Sequence, residues 1–116
     1  MTEIYQGSCH CGSVKFSIET DLESSLRCNC SLCLRKGAIM LSGTEGGFTL
    51  LEGEEHLSKY QFNTHVAEHY FCKHCGIYTH HKPRSNPKIH RVNAGCVIGI
   101  DSLKLKPDLN DGAAFS

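Results

Sequence analysis

Seven of the eight cysteines in this chain fall into three short clusters. Cys9 and Cys11 form a C-x-C pair, Cys28, Cys30 and Cys33 a C-x-C-x-x-C set, and Cys72 and Cys75 a C-x-x-C pair, while Cys96 stands alone. Thiols at such spacings bind metal, exchange electrons as dithiols or cross-link as disulfides. Zinc takes four ligands in a tetrahedron, and one tight C-x-C or C-x-x-C turn presents two thiolates to a single ion. Two such knuckles close a structural site. Joining Cys9 and Cys11 to Cys72 and Cys75 would tie the first strand to the middle of the sheet and staple a small core. Disulfides and other ligand pairings are the alternatives, with His10 and His74, inside the knuckles, as candidates to replace a thiolate. Gly76, directly after Cys75, suits a knuckle that needs a positive φ or an unhindered amide. Redox dithiols of the C-x-x-C type sit at strand-to-helix junctions, whereas the "GIYTHHKP" that follows Cys75 reads as strand, which argues against that chemistry.

With the first site closed, Cys28, Cys30 and Cys33 remain as a three-ligand set, and a zinc held by three ligands keeps an open position for reaction. The competing reading is a second closed site with Cys96 or a histidine as fourth ligand. Cys96 lies in the apolar run "RVNAGCVIGI", where a lone cysteine reads as a small buried hydrophobe.

The elements that must position these thiols are mostly strands. "SVKFSIET", residues 13–20, alternates Val14, Phe16 and Ile18 against Lys15, Ser17 and Glu19, the period of a half-buried strand. Further strands are expected over 38–42, 48–53, 58–63, 66–71, 77–81 and 89–97. Gly46-Gly47 and Asn86-Pro87 are expected turns. The one helix signal is a short turn capped by Ser31, running through Leu34 and Lys36 and closed by Gly37. The chain of 116 residues reads as one domain, 1–116, mainly β, with 106–116 a loosely held tail that carries no chemistry. With 40% hydrophobic and 21% charged residues, the composition excludes disorder and coiled coil. Twelve basic and twelve acidic residues cancel, so no global field draws the chain to nucleic acid or an anionic membrane. Neither a signal peptide nor a long apolar span is visible, and a cytoplasmic protein with no membrane or nucleic-acid partner is expected.

The ordered set "GSCHCGSVKFSI", "CNCSLCLRKG", "YFCKHCG" and "RVNAGC" resembles the glutathione-dependent formaldehyde-activating enzyme (Gfa) family, whose domain is shared with centromere protein V. Over residues 5–105, seven cysteines stand in register with Gly12, Arg35, Gly37 and Gly76. The resemblance implies a zinc-stapled antiparallel β-tent fold with little helix. It implies two zinc ions per chain, a structural one on Cys9, Cys11, Cys72 and Cys75 and a catalytic one on Cys28, Cys30 and Cys33. The implied reaction is addition of glutathione to formaldehyde, giving S-(hydroxymethyl)glutathione, or the reverse cleavage, which makes the protein a carbon-sulfur lyase. Many relatives carry two arginines after the third cysteine; here Leu34 takes the first place, so an anion contact by that arginine is lost.

A zinc with three thiolates, and a fourth from the substrate, accumulates negative charge that nearby cations should offset. Arg35 and Lys36 are the closest in sequence, and Arg35 is a candidate substrate contact. Asn93 matches a polar position of the family motif and could orient substrate, unless it serves only a strand-end hydrogen bond. The segment "HHKPRSNPKIHR" offers Lys82, Arg84, Lys88 and Arg91 to the carboxylates of glutathione, with a solvated loop as the competing reading. Two other functions compete: a non-catalytic zinc module for a protein partner, and the same chemistry on a different thiol or aldehyde.

Overall fold

The structure, a computed structural model, describes residues 1–110. Nine strands and one helix follow in the order β1 (Glu3–Ser8), β2 (Lys15–Thr20), β3 (Leu26–Cys28), α1 (Ser31–Lys36), β4 (Met40–Glu52), β5 (Leu57–Tyr60), β6 (Glu68–Cys72), β7 (Tyr78–Lys82), β8 (Arg91–Asn93) and β9 (Asp108–Asn110). The architecture is mainly antiparallel β with little helix, as the resemblance implies. The sheet runs β1-β2-β4-β8-β7-β6-β5, with β3 pairing both β4 and β9. Among the described residues no helix is long and apolar enough to cross a membrane.

The alternation in β2 does what its period demands. Phe16 and Ile18 are fully buried and pack with Leu41, Val92, Ala94, Cys96 and Val97 into the main core. Cys96 takes the part of a small apolar residue there, and burial pushes its thiol up to about 12. Both expected strands around Gly46-Gly47 are present but fused into the single long β4, so the expected turn is absent. The register explains this: Thr20 pairs Gly43 and Ile18 pairs Phe48, so residues 44–47 of β4 bulge opposite the single residue Glu19. The Asn86 turn forms as expected, its side chain accepting from the Lys88 amide. The strand expected over 89–97 is shorter, because after β8 the chain closes into a 3-10 turn over Ala94–Cys96.

Two further differences bear on the site. The helix is capped by Cys30, not Ser31: its Sγ accepts from the Cys33 amide at 3.3 Å, and Gly37 closes the end with φ 65°. The segment from Lys106 is not loosely held throughout. Asp108–Asn110 form β9, which lies parallel to β3 with Cys28 opposite Asn110. Its backbone completes the hydrogen bonding of an otherwise free strand edge. The rest of the expected tail, 111–116, lies outside the described residues.

Gly53 shows how tightly the sheet grips the first knuckle. It sits at φ 92°, and a Cβ there would run into the Ser13 carbonyl and come within 2.9 Å of Val14 Cα. Both obstacles are backbone, so they cannot swing aside. Gly53→Ala is therefore expected to cost about 3 kcal/mol or more, a drop on the order of 10 °C in Tm. Thermal denaturation checks this; an unchanged Tm would show that the Ser13 turn is free to move.

Candidate active site

The first knuckle is a turn closed by the Cys9 amide on the Val14 carbonyl, 3.0 Å, and the Gly12 amide on the Cys9 carbonyl, 3.3 Å. The second joins β6 to β7 and is closed by the Gly76 amide on the Cys72 carbonyl, 2.8 Å, and the Cys72 amide on the Ile77 carbonyl, 3.0 Å. Gly76 adopts φ 76°, the conformation its place after Cys75 called for. The two turns meet. The sulfurs of Cys9, Cys11, Cys72 and Cys75 lie within 4.8 Å of one another, with Cys9–Cys11 and Cys11–Cys72 both at 3.7 Å. A tetrahedral ion with Zn–S bonds of about 2.3 Å requires sulfurs about 3.8 Å apart. The donor set therefore fits zinc. Val14, Leu50 and Leu57 pack around Cys9 and Cys72, which makes the cluster the centre of a second, smaller core.

Cys28, at the end of β3, and Cys30 and Cys33, at the start of α1, form the second cluster, again with all sulfurs within 4.8 Å. Amides aim at two of these sulfurs: the Cys30 amide at Cys28 Sγ, 3.5 Å, and the Cys33 amide at Cys30 Sγ, 3.3 Å. The Asn110 side chain donates to Cys28 Sγ at 3.7 Å. Such N–H donors favour thiolates. Burial pushes the Cys33 thiol up, and the charge of Lys36 works against that. A thiolate there needs more positive charge close by, which a divalent cation on the three sulfurs would supply. Among the described residues no histidine, aspartate, glutamate or fourth cysteine joins this cluster. Cys96 instead points its sulfur at the Tyr78 carbonyl, 3.7 Å away, and His74 pairs with His56 at 2.8 Å.

The three thiols open onto a cavity of about 150 Å³, also lined by Lys36, His69, His81, Arg84, Arg91 and Asn110. Among the described residues no carboxylate lines it. Lys36 closes α1 and lays its ammonium 3.7 Å from the centroid of the Tyr78 ring, and burial lowers it to about 8. Arg91 is fixed by its Nε–H to Ser42 Oγ, 3.2 Å. His69 shares a hydrogen bond with the Tyr78 hydroxyl, and burial brings it down to about 4. Burial also holds His81 well below the ordinary histidine range, so both rings are neutral near pH 7.

Of the residues singled out as substrate contacts, neither Arg35 nor Asn93 lines this cavity. Arg35 is exposed and donates to the Ser31 carbonyl at 2.7 Å, back along its own helix. Asn93 has both ends of its amide engaged, donating to the Tyr78 carbonyl at 2.8 Å and accepting from the Gly95 amide at 3.0 Å. It takes the strand-end role. Of the four cations in "HHKPRSNPKIHR", Arg84 and Arg91 line the cavity and Lys82 and Lys88 do not. Sequence reasoning missed His69, Tyr78, His81 and Asn110. Tyr78 and His81 lie in β7, where three consecutive buried residues leave alternation without a signal, His69 is a polar residue on the buried side of β6, and Asn110 lies in a segment with no apolar pattern.

The sequence model of the family described as "Glutathione-dependent formaldehyde-activating enzyme" matches residues 4–111. The chain belongs to that family. A relative from Halomonas elongata, provisionally named a glutathione-dependent formaldehyde-activating enzyme, is 35% identical over 82 residues, which are 62% of this chain and 52% of the relative. The chain thus spans about half the length of that curated relative. A crystal structure of a Rhodobacter sphaeroides protein superposes with a TM-score of 0.87 at 39% identity, covering 90% of this chain and 99% of that one. The Gfa membership supports a formaldehyde-activating enzyme at the level of the family, and both cysteine clusters expected of it are present, each able to hold a metal ion.

Proposed function

We propose that the protein is a zinc-dependent carbon-sulfur lyase that joins glutathione to formaldehyde, or cleaves the adduct, at Cys28, Cys30 and Cys33. The observation that carries this reading is a three-thiol cluster opening onto a cavity that Lys36, Arg84 and Arg91 line and to which no described residue contributes a carboxylate. Cys28, Cys30 and Cys33 would hold a zinc ion, which when bound would supply a positive centre that favours the thiolate form of a thiol whose ordinary pKa is about 8.5. The protein's own residues do the rest.

A dication with three thiolates carries a net charge near −1, and a substrate thiolate takes it to about −2. Lys36 and Arg91 offset that charge from inside the cavity, where the low dielectric makes each more effective than a surface cation. Arg84 and Arg91 suit the carboxylates of glutathione, since a guanidinium matches a carboxylate with two parallel hydrogen bonds. Asn110 and the Cys30 and Cys33 amides hold the cluster sulfurs in their charged form. In this reading Lys36 keeps the cation role expected of it from sequence, and Arg91 takes the place of Arg35.

Formaldehyde and thiols also combine without a catalyst, so the test is a rate that scales with protein. Exchange NMR between free formaldehyde and S-(hydroxymethyl)glutathione reads it directly. The expected result is acceleration proportional to protein, saturating in glutathione; exchange independent of protein would overturn the reading. Arg91→Gln is expected to raise the KM for glutathione about ten-fold, the loss of one charge-assisted contact. Arg35→Glu is expected to change it less than about two-fold, as an exposed charge does.

A further inference from the structure

Two side-chain atoms among the described residues are buried without a hydrogen-bond partner: Lys36 Nζ and His81 Nδ1. Both side chains line the cavity that Cys28, Cys30 and Cys33 also line. A buried polar atom left unpaired costs on the order of 1–3 kcal/mol, and a charged one more. A fold that tolerates two of them on side chains lining one cavity is built to pair them with something that enters it.

Their surroundings define what that is. Lys36 rests on the face of Tyr78, and no described residue lining the cavity offers a carboxylate to its N–H groups. His81 is 6% exposed, its ring 5.2 Å from His69 and 6.0 Å from Tyr78. His69 Nδ1 and the Tyr78 hydroxyl are hydrogen-bonded to each other, so neither of those two atoms needs a partner from the cavity. A cationic donor and a neutral imidazole together suit one small oxygen that changes from carbonyl to alkoxide to hydroxyl. The ammonium donates throughout. Imidazole Nδ1 donates to the alkoxide in one tautomer and accepts from the hydroxyl in the other.

We propose that Lys36 and His81 form the oxyanion site of this cavity, holding the oxygen of a small aldehyde while a thiolate at the three-cysteine cluster attacks its carbon. This rests on the thiol-aldehyde chemistry proposed above. In the forward direction a sulfur lone pair forms the C–S bond and the carbonyl π pair moves onto oxygen. The resulting alkoxide is held by Lys36 and His81 and takes its proton from water. Cleavage runs the same steps backwards, the hydroxyl proton returning to water as the C–S bond breaks. No oxidant or reductant is needed. Both residues then touch the reacting oxygen and are catalytic.

Two measurements test this on the zinc-loaded protein. In turnover of S-(hydroxymethyl)glutathione, His81→Phe removes the contact without changing charge, and Lys36→Arg keeps the charge but moves the donors. Each is expected to lower kcat on the order of 10²-fold while the KM for the adduct changes less than about three-fold. Equal losses in kcat for a variant that no longer holds two zinc ions would not count, so metal content is read on the same samples. The second readout is binding of formate, an unreactive one-carbon oxyanion, followed by the His81 ring resonances. Saturable shifts are expected in the wild type, with affinity reduced at least ten-fold in Lys36→Arg. If turnover scales with protein but both variants keep kcat within two-fold, the oxyanion site is overturned and the lyase reading stands. If formate binds as predicted but no turnover scales with protein, the oxygen site stands and the lyase reading falls.

Discussion

Cys72→Ser is expected to leave a chain that does not hold its fold. Cys72 is 0% exposed and sits where β6 enters the second knuckle, with Cys11 Sγ 3.7 Å away. Its loss removes one of four ligands and puts a hydroxyl without a metal into a core formed by Cys9, Val14, Leu50 and Leu57. A structural zinc contributes on the order of 10–16 kcal/mol of apparent binding energy, as much as or more than the 5–15 kcal/mol by which a domain is stable at all. The expected readings are loss of near-ultraviolet circular dichroism, no cooperative thermal transition and loss of the structural zinc. The wild type should behave alike when a strong chelator is added and should be indifferent to a reductant, which separates a metal cluster from disulfides. A Cys72→Ser protein melting within a few degrees of wild type would refute the stapling role.

Cys30→Ser is expected to do the opposite, abolishing chemistry while keeping the fold. Cys30 lies at the mouth of the cavity, and besides its place in the cluster it has one structural task, accepting the Cys33 amide as the cap of α1. Serine is among the best caps, so the substitution keeps the helix start and removes only the thiolate. Stability is expected to change by no more than the ~1 kcal/mol that a cap is worth, a few degrees in Tm. The protein-dependent rate is expected to fall at least ~10³-fold, because a group acting as part of a unit carries most of the effect of the whole unit when removed. Rate measurement by exchange NMR, with thermal melting on the same sample, checks both halves. A variant that retains a tenth of the rate would show that the three-thiol cluster is not where the reaction occurs.

The thiol clusters were legible because knuckle ligands are local: two or three residues of spacing fix which sulfurs can share an ion, whatever the rest of the chain does. The β2 strand was legible for a similar reason, since Phe16 and Ile18 face one core while Lys15 faces water. What the sequence concealed came from pairing at a distance. Gly46-Gly47 looks like a turn, and only the register against Glu19 makes it a bulge within β4. Asp108–Asn110 leaves its one apolar residue, Leu109, exposed, and its strand exists because the β3 backbone lies alongside. In β7, Thr79, His80 and His81 are all buried, so no alternation singled out the ring that faces the thiol cavity. The cap of α1 was misassigned to Ser31 because sulfur is not among the usual capping groups, yet geometry gave Cys30 that role.

Two metal sites of different kind, one closed and one open, are expected in this chain. Zinc per chain, measured by native mass spectrometry on protein purified without added metal or chelator, decides whether both exist. Two zinc ions are expected in the wild type and one in Cys30→Ser, with the remaining ion resistant to washing. A single zinc in the wild type, unchanged by Cys30→Ser, would mean that Cys28, Cys30 and Cys33 do not hold a resident ion, and the proposed chemistry would lose its centre.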